Sequence, residues 1–470
     1  MNVHDSAKQG WHQMSKVSLL TERLPQVLCA QWRKASAVVG FDAGMARRLH
    51  IDFLSIGFSQ ALAAVGQIIG IRLLTEALSP AVFGQVALAV GMSTLAISVF
   101  VNPTMQALLR YYPEYAQSGN EAAARATALR RIARTSAFAL PLSLPLMILA
   151  VVAGWFNPTV VTLLSLLVVV DGMRTFRTTM MNASRDHHRY GVWQIGEAWG
   201  RPSLAYAAAV WWGIHTEVVL VAYIVASGVL YLALARSTGE SAPAAPVRDI
   251  DEGDLLRRFE RYARPLIPLG LVGWISGTAD RYMIGSLLSF QDVGMYAAAY
   301  GLASRPLLIV SSIAETAIRP VYYDAVVRQD QRTSRKYLVA WFAIVFAAGT
   351  AVCASFTLLQ QPLAHLLLGP GFREASYLMP WIAVGYGLLA FYHISARVSL
   401  AHDAPHITTI SEATGTVSAV AIGFMLIGAY GLPGAAVAVP ISYGIQLVVS
   451  VCLGRLFGSK TGKLKHVSPS

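Results

Sequence analysis

Apolar residues fall in runs of about twenty along most of the chain, and charged residues collect in the short gaps between them. At 1.5 Å per residue, a helix of that length spans a hydrocarbon core of about 30 Å. Twelve such runs can be drawn: 52–74, 81–103, 135–155, 159–182, 190–212, 217–236, 265–288, 293–318, 337–359, 375–398, 406–428 and 433–455. The fourth and fifth are the least apolar, because Asp171, Arg174, Arg177, Glu197 and Arg201 interrupt them. The pattern predicts an all-α polytopic membrane protein.

Composition agrees. Hydrophobic residues make up 55% of the chain and charged residues 13%, against roughly one-quarter charged in soluble domains. Mean hydropathy is +0.51. The net charge of +12 fits either a nucleic-acid binder or a membrane protein with basic inner loops, and its placement decides. With both termini cytoplasmic, the Lys and Arg residues between runs fall almost entirely on the inner side, leaving Arg72 and Arg373 outside. That asymmetry is the positive-inside pattern and removes support for nucleic acid. The opening residues carry Lys8, Lys16, Arg23, Arg33, Lys34, Arg47 and Arg48 and lack a secretory apolar run. Leu19, Leu20, Leu24, Val27 and Leu28 recur at helical spacing, so this arm reads either as a surface helix or as a disordered basic tail. Cys29, Cys353 and Cys452 are too dispersed for a disulfide framework or a metal site. No cofactor or metal is expected, and no Walker-type phosphate loop is present.

The runs divide the chain into a basic arm (1–51), a six-helix lobe (52–236), a cytoplasmic linker (237–264), a second six-helix lobe (265–455) and a basic tail (456–470). The linker holds the patch 241–246, rich in Ala and Pro, followed by Asp249, Asp251, Glu252 and Asp254, which lack EF-hand spacing. A repeat supports the halves. Leu78, Ser79, Gly84, Ala87, Ala89 and Gly91 return as Leu288, Ser289, Gly294, Ala297, Ala299 and Gly301, each about 210 residues on. Halves of like orientation, related by a pseudo-two-fold axis along the membrane normal, form a transporter architecture with the path between them. In the leading helices, Gly66 and Gly70 in the first and Pro268, Gly270, Gly273 and Gly277 in the seventh serve either close helix contact or hinge bending.

Charges inside the runs are costly and need either partners or a function. Asp171 with Arg174, Glu197 with Arg201 and Glu315 with Arg319 sit three or four apart on helix faces, so structural pairs compete with a binding role. Arg177 has the alternative of reaching the inner headgroups. Asp280 and Arg281 are adjacent and face apart; Arg305 has no acid three or four residues away. Glu412 has no cation at that spacing, and with Asp171, Glu197, Glu315 and Asp280 it is a candidate for proton or sodium coupling. Trp155, Trp211, Trp212 and Trp381 read as interface anchors; Trp193, Trp199 and Trp274 lie deeper, as core residues or stacking platforms. His187 and His188 lack metal-ligand spacing.

Four stretches carry a resemblance: Arg72-Leu-Leu with Leu78-Ser-Pro and Phe83-Gly84; Asp280-Arg281 to Gly285 with Val293 to Tyr300; Leu368 to Phe372; and Tyr430 to Ala436. In this order they resemble the polysaccharide transporter family of the multidrug/oligosaccharidyl-lipid/polysaccharide exporter superfamily. The resemblance implies twelve helices in two lobes around a cationic cavity. It implies a cargo of undecaprenyl-pyrophosphate-linked sugar units turned to the outer leaflet of the bacterial inner membrane, with polymerase or export machinery as partners. Arg305, Arg281, Arg174, Arg201, Arg177 and Arg72 would then be the pyrophosphate ligands. A multidrug/cation antiporter shares the fold. A membrane-embedded polymerase, ligase or acyltransferase is disfavoured, because the longest outer connection, Gln360 to Glu374, offers only His365, Arg373 and Glu374.

Overall fold

The computed structural model describes residues 43–237 and 252–464. The basic arm up to residue 42, the linker residues 241–246 with Asp249 and Asp251, and the end of the tail lie outside the described residues. Met1–Gly57 forms one compact unit, whose described part is the opening of the first helix; Phe58–Ser470 forms the other and holds the helical bundle.

The elements in order are α1 (Ala43–Ala77), α2 (Pro80–Gln117), α3 (Glu121–Val152), α4 (Pro158–Ala183), α5 (His187–Trp212), α6 (Thr216–Ser237) and α7 (Glu252–Ala263). They continue with α8 (Leu266–Leu287), α9 (Phe290–Val327), α10 (Gln331–Leu358), α11 (Gln360–Leu367), a 3-10 segment (Pro370–Leu378), α12 (Met379–Ala401), α13 (Pro405–Tyr430) and α14 (Leu432–Leu464). No strand occurs among the described residues. Nine of the described helices are long and apolar enough to cross a membrane. The other three that coincide with predicted runs are α3, α5 and α8. Many large apolar side chains point outward, among them Phe346, Leu358, Val417, Phe424, Met425 and Val448. An apolar exterior of this kind belongs in lipid.

The repeat runs further than its identical residues. Helices α1 and α8 end at Ala77 and Leu287, α2 and α9 occupy Pro80–Gln117 and Phe290–Val327, and α3 and α10 begin at Glu121 and Gln331. All these ends keep the same offset. Ser79 caps α2 by accepting from Val82 N, and Ser289 caps α9 by accepting from Asp292 N. Serine is favoured there because its hydroxyl satisfies a free N–H of the first turn. Each long helix then closes with a left-handed residue, Gly119 (φ 72°) or Gln329 (φ 58°). The following N–H bonds back five residues, Asn120 N to Tyr115 O at 2.8 Å and Asp330 N to Ala325 O at 3.0 Å, as a Schellman closure requires.

Helices α2 and α9 meet at these starts. A Cβ on Gly84 would lie 2.0 Å from Phe290 O, and one on Gly294 would lie 1.9 Å from Pro80 O. The contact is reciprocal under the repeat, as at an interface between identical surfaces. It is sealed by Phe83 edge-on to Phe372 at 5.4 Å, and by Gly369 N donating to Thr75 Oγ1 at 2.9 Å. The buried core around it includes Leu88, Ala89, Tyr296, Ala298, Ala299 and Phe372.

Two local features shape the opposite end. Ile97–Val101 is a π-turn in which Asn102 N bonds to Ile97 O, five residues back. Pro103 follows; it has no N–H, and its ring would crowd the carbonyl four residues earlier, so the helix widens there. The second feature is α7, at the end of the linker. Leu255, Phe259 and Ala263 are buried, with Leu255 and Phe259 packed beside Met105, Leu108 and Tyr112 of α2. Arg258 bonds both oxygens of Glu114 and the hydroxyl of Tyr115 at 3.1 Å and stacks on Tyr111 at 4.9 Å.

Candidate functional site

A groove of about 540 Å³ lies between α2 and α8. From α2 it is lined by Thr94, Ser98, Asn102, Pro103 and Gln106, and from α8 by Leu266, Leu269, Gly270, Gly273, Trp274 and Thr278. The α2 contribution repeats every four residues, so one polar stripe faces an apolar and aromatic stripe. The π-turn lies within the polar stripe, and a Cβ on Gly270 would come 2.3 Å from Ser98 O. The helices therefore touch where Gly270 leaves room. Gly273 and Gly277 have nothing within 4 Å of a Cβ position. Of the expected hinge residues, Gly270 is thus a contact point, Gly273 borders the groove, Gly277 is open, and Pro268 lies in the first turn of α8.

Above the groove, towards the Gly84–Gly294 contact, α8 is tied to α2. Trp274 Nε1 donates to Gly91 O at 2.8 Å and Tyr282 OH donates to Leu88 O at 2.8 Å. Arg281 lies one turn beyond Thr278. Its guanidinium sits 4.7 Å from the centre of the Tyr300 ring, and Nη1 donates to Gly277 O at 3.2 Å. Asp280 turns the other way, accepting from Tyr296 OH at 2.7 Å. It borders a small void of about 40 Å³ with Ser276, Tyr300, Ser442 and Tyr443. Tyr300 and Tyr386 share a hydrogen bond of 2.6 Å. Arg305 lies half-buried five residues beyond Tyr300 on α9, in the neighbourhood of Arg281 and Tyr386. No hydrogen bond or ion pair engages it among the described residues.

The other expected arginines are placed differently. Arg174 Nε and Arg201 Nη2 both reach Asp171 Oδ1. Arg174 Nη1 is 2.6 Å from Glu197 Oε2 and Arg201 Nη1 is 3.5 Å from Glu197 Oε1. Ser93 Oγ donates to Asp171 Oδ2 at 3.2 Å, Arg201 Nε donates to Ser227 Oγ at 2.8 Å, and Trp193 Nε1 donates to Glu197 Oε2 at 3.3 Å. Two acids and two arginines thus form a closed, neutral square across α4 and α5. Arg177 packs on the Tyr231 ring at 5.0 Å, and Arg72 pairs with Glu76 at 2.5 Å on α1.

Among the candidate coupling acids, Glu315 is held by Arg319 at 2.7 Å and by Arg397 at 2.8 Å. Glu412 has no ion pair within 4 Å among the described residues; the nearby Tyr392 OH donates to Thr408 O at 3.4 Å. Trp193 is a core residue, 1% exposed, and Trp199 donates to Leu62 O at 3.1 Å. No group of three His, Cys, Asp or Glu residues converges as metal ligands would among the described residues.

Sequence reading missed the groove wall. Thr94, Ser98, Asn102 and Gln106 carry no charge and so do not stand out in an apolar run, although their four-residue spacing was the available signal.

Solved structures share the fold. An inward-facing multidrug resistance MATE family transporter of the MOP superfamily matches with a TM-score of 0.63 at 16% identity, covering 89% of this chain and 99% of its own. The lipid II flippase MurJ, in an inward closed conformation, matches with a TM-score of 0.62 at 11% identity, covering 86% of this chain and 87% of its own. A mutant form of the Vibrio cholerae MATE transporter VcmN matches with a TM-score of 0.54 at 14% identity, covering 88% of this chain and 98% of its own. No curated protein matches the chain. The family model described as "Polysaccharide biosynthesis protein" matches residues 50–326. That span exceeds half the chain and takes in both flanks of the α2–α8 groove, so the chain belongs to the polysaccharide biosynthesis protein family.

Proposed function

We propose that the protein is a flippase that turns undecaprenyl-pyrophosphate-linked oligosaccharide repeat units from the inner to the outer leaflet of the bacterial cytoplasmic membrane. In this reading α3, α5 and α8 cross the membrane along with the nine apolar helices, both termini are cytoplasmic, and two six-helix lobes alternate access around the groove. The observation that carries it is the pair of cations beyond the groove, Arg281 one turn past Thr278 on α8 and Arg305 on α9. Neither Arg305 nor Arg281 has an ion pair within 4 Å among the described residues, and the neighbouring Asp280 is engaged by Tyr296 OH at Oδ2 and by the Arg281 backbone N–H at Oδ1. An uncompensated cation in a membrane interior calls for an anionic ligand, and a pyrophosphate offers the forked acceptor that guanidinium groups fit. Export against a gradient needs coupling, and Glu412 supports it best, since Asp171, Glu197 and Glu315 are already engaged by arginines.

Deleting the gene is expected to accumulate lipid-linked repeat units on the inner leaflet while their synthesis continues. Arg305→Ala at normal protein level should reduce surface polymer at least about tenfold, the loss of one charged contact of roughly 1.4 kcal/mol or more; Arg305→Lys should restore part of it. Normal surface polymer in the deletion strain would refute the flippase reading, and full export by Arg305→Ala would remove that residue from it. Drug sensitivity in the deletion strain with polymer intact would instead favour an antiporter.

A further inference from the structure

We propose that the α2–α8 groove is a binding site for uncharged sugar residues, so that the cargo units next to the pyrophosphate are neutral hexoses or N-acetylhexosamines. This rests on the flippase reading and deepens it.

None of the residues lining the groove is charged. Asn102 and Gln106 are exposed to it, and neither side chain has a hydrogen bond to another described residue. Ser98 and Thr278 add hydroxyls, and Thr94 Oγ1, which donates to Gly91 O at 2.7 Å, keeps its acceptor capacity. Amides and hydroxyls both donate and accept, which matches sugar hydroxyls, themselves donors and acceptors. Opposite this polar stripe stands Trp274, its orientation fixed by the bond from Nε1 to Gly91 O and by Tyr282 at 5.2 Å. A rigid indole gives a flat apolar face for the C–H face of a pyranose.

Charge selects within the sugars. A uronate carboxylate placed here would lose water without gaining a cation, a cost that neutral hydroxyls avoid by pairing with the wall. The cations lie beyond the groove, Arg281 one turn past Thr278 and Arg305 further in. Along α8 the cations follow the sugar wall, as the pyrophosphate adjoins the first sugar in the cargo; the prenyl chain, on the far side of the pyrophosphate from the sugars, would leave toward lipid from the cation end.

Purified protein in nanodiscs would be titrated by intrinsic fluorescence with three probes. These are a C20 prenyl diphosphate, the same lipid carrying an N-acetylhexosamine–hexose disaccharide, and the same lipid with a hexuronic acid as the second sugar. The neutral disaccharide probe is expected to bind about tenfold more tightly than the bare lipid, the gain of one or two net hydrogen bonds, and the uronate probe no more tightly than the bare lipid. The double variant Asn102→Ala/Gln106→Ala should abolish the gain from the neutral sugars while leaving the bare lipid unchanged, whereas Arg305→Ala should weaken all three. Equal binding of neutral and acidic probes, or an unchanged gain in the double variant, overturns the sugar site while leaving the flippase reading standing. Failure of wild-type protein to bind any prenyl diphosphate overturns both. Because the two amides face the open groove, their removal is expected to leave thermal unfolding unchanged, which separates a binding effect from a folding one.

Discussion

Asp171 is 5% exposed and accepts from Ser93, Arg174 and Arg201. Its square with Glu197 has no net charge and few free donors, so a pyrophosphate entering it would first have to break bonds of 2.6–3.5 Å. That geometry favours a structural role for Arg174 and Arg201, so anion binding in the proposed flippase reading rests on Arg281 and Arg305. Glu412 is the opposite case, an interior acid without an ion pair within 4 Å among the described residues. The two should respond differently to neutralisation. Asp171→Asn is expected to cost about 3–5 kcal/mol, because it strands a buried cation, and adding Arg201→Gln should return much of that. Glu412→Gln should barely move thermal unfolding but should remove the dependence of export on the ion gradient. Unchanged unfolding in Asp171→Asn, or gradient-driven export at wild-type rate in Glu412→Gln, would reverse these assignments. The residue scale was only half legible in sequence. The Asp171–Arg174 and Glu197–Arg201 pairs follow from helical spacing, but the cross links Arg174–Glu197 and Arg201–Asp171 depend on α4 packing beside α5, which no local pattern encodes.

At the scale of elements, the repeat was the strongest message in the chain, and its physical cause is backbone crowding. Gly84 and Gly294 recur because each faces a carbonyl at about 2 Å from where a Cβ would be, Phe290 O at 2.0 Å and Pro80 O at 1.9 Å. No rotation of a side chain can relieve such a clash, since both partners are main chain. Gly84→Ala and Gly294→Ala are each expected to push α2 and α9 apart, lowering the unfolding temperature and opening this end to water. The double variant should cost less than the sum of the singles, because the first displacement makes room for the second. Strict additivity, measured by thermal unfolding with accessibility of a cysteine placed at Thr75, would show that the two glycines do not share one contact. The π-turn was less legible. Pro103 marks a break in α2, but a proline within an apolar run predicts a kink as readily as a widened turn. The four-residue spacing of Ser98 and Asn102 marks one helix face, but the widened turn between them shows only in the backbone. Helix α7 was hidden too, as a short amphipathic segment whose Leu255 and Phe259 gain their meaning from the ends of α2 and α3.

At the scale of the whole bundle, the close contacts gather at one end and the α2–α8 groove lies away from it. The α2 and α9 starts, Thr75 with Gly369 and Phe83 with Phe372 close the end that the positive-inside pattern places outside. The groove reaches Gln106 and Leu266, toward the opposite end. The stretches that carried the family resemblance, around Leu78, Val293 and Leu368, gather at the shut end, so sequence reading found the seal more readily than the path. A seal depends on close contact of small residues, whereas a path lined by uncharged polar groups leaves little trace in hydropathy. If alternating access moves the cargo, this seal must part in every cycle. Phe83→Cys and Phe372→Cys, combined in a chain whose Cys29, Cys353 and Cys452 are replaced by Ser, would place two thiols across it. A short reducible bifunctional thiol reagent should then stop export of the repeat unit in inverted vesicles, and reductant should restore it, while either single variant treated alike keeps transporting. Continued export by the cross-linked protein would show that the seal stays closed throughout transport, and the cargo would have to leave by a route between helices rather than through the end of the bundle.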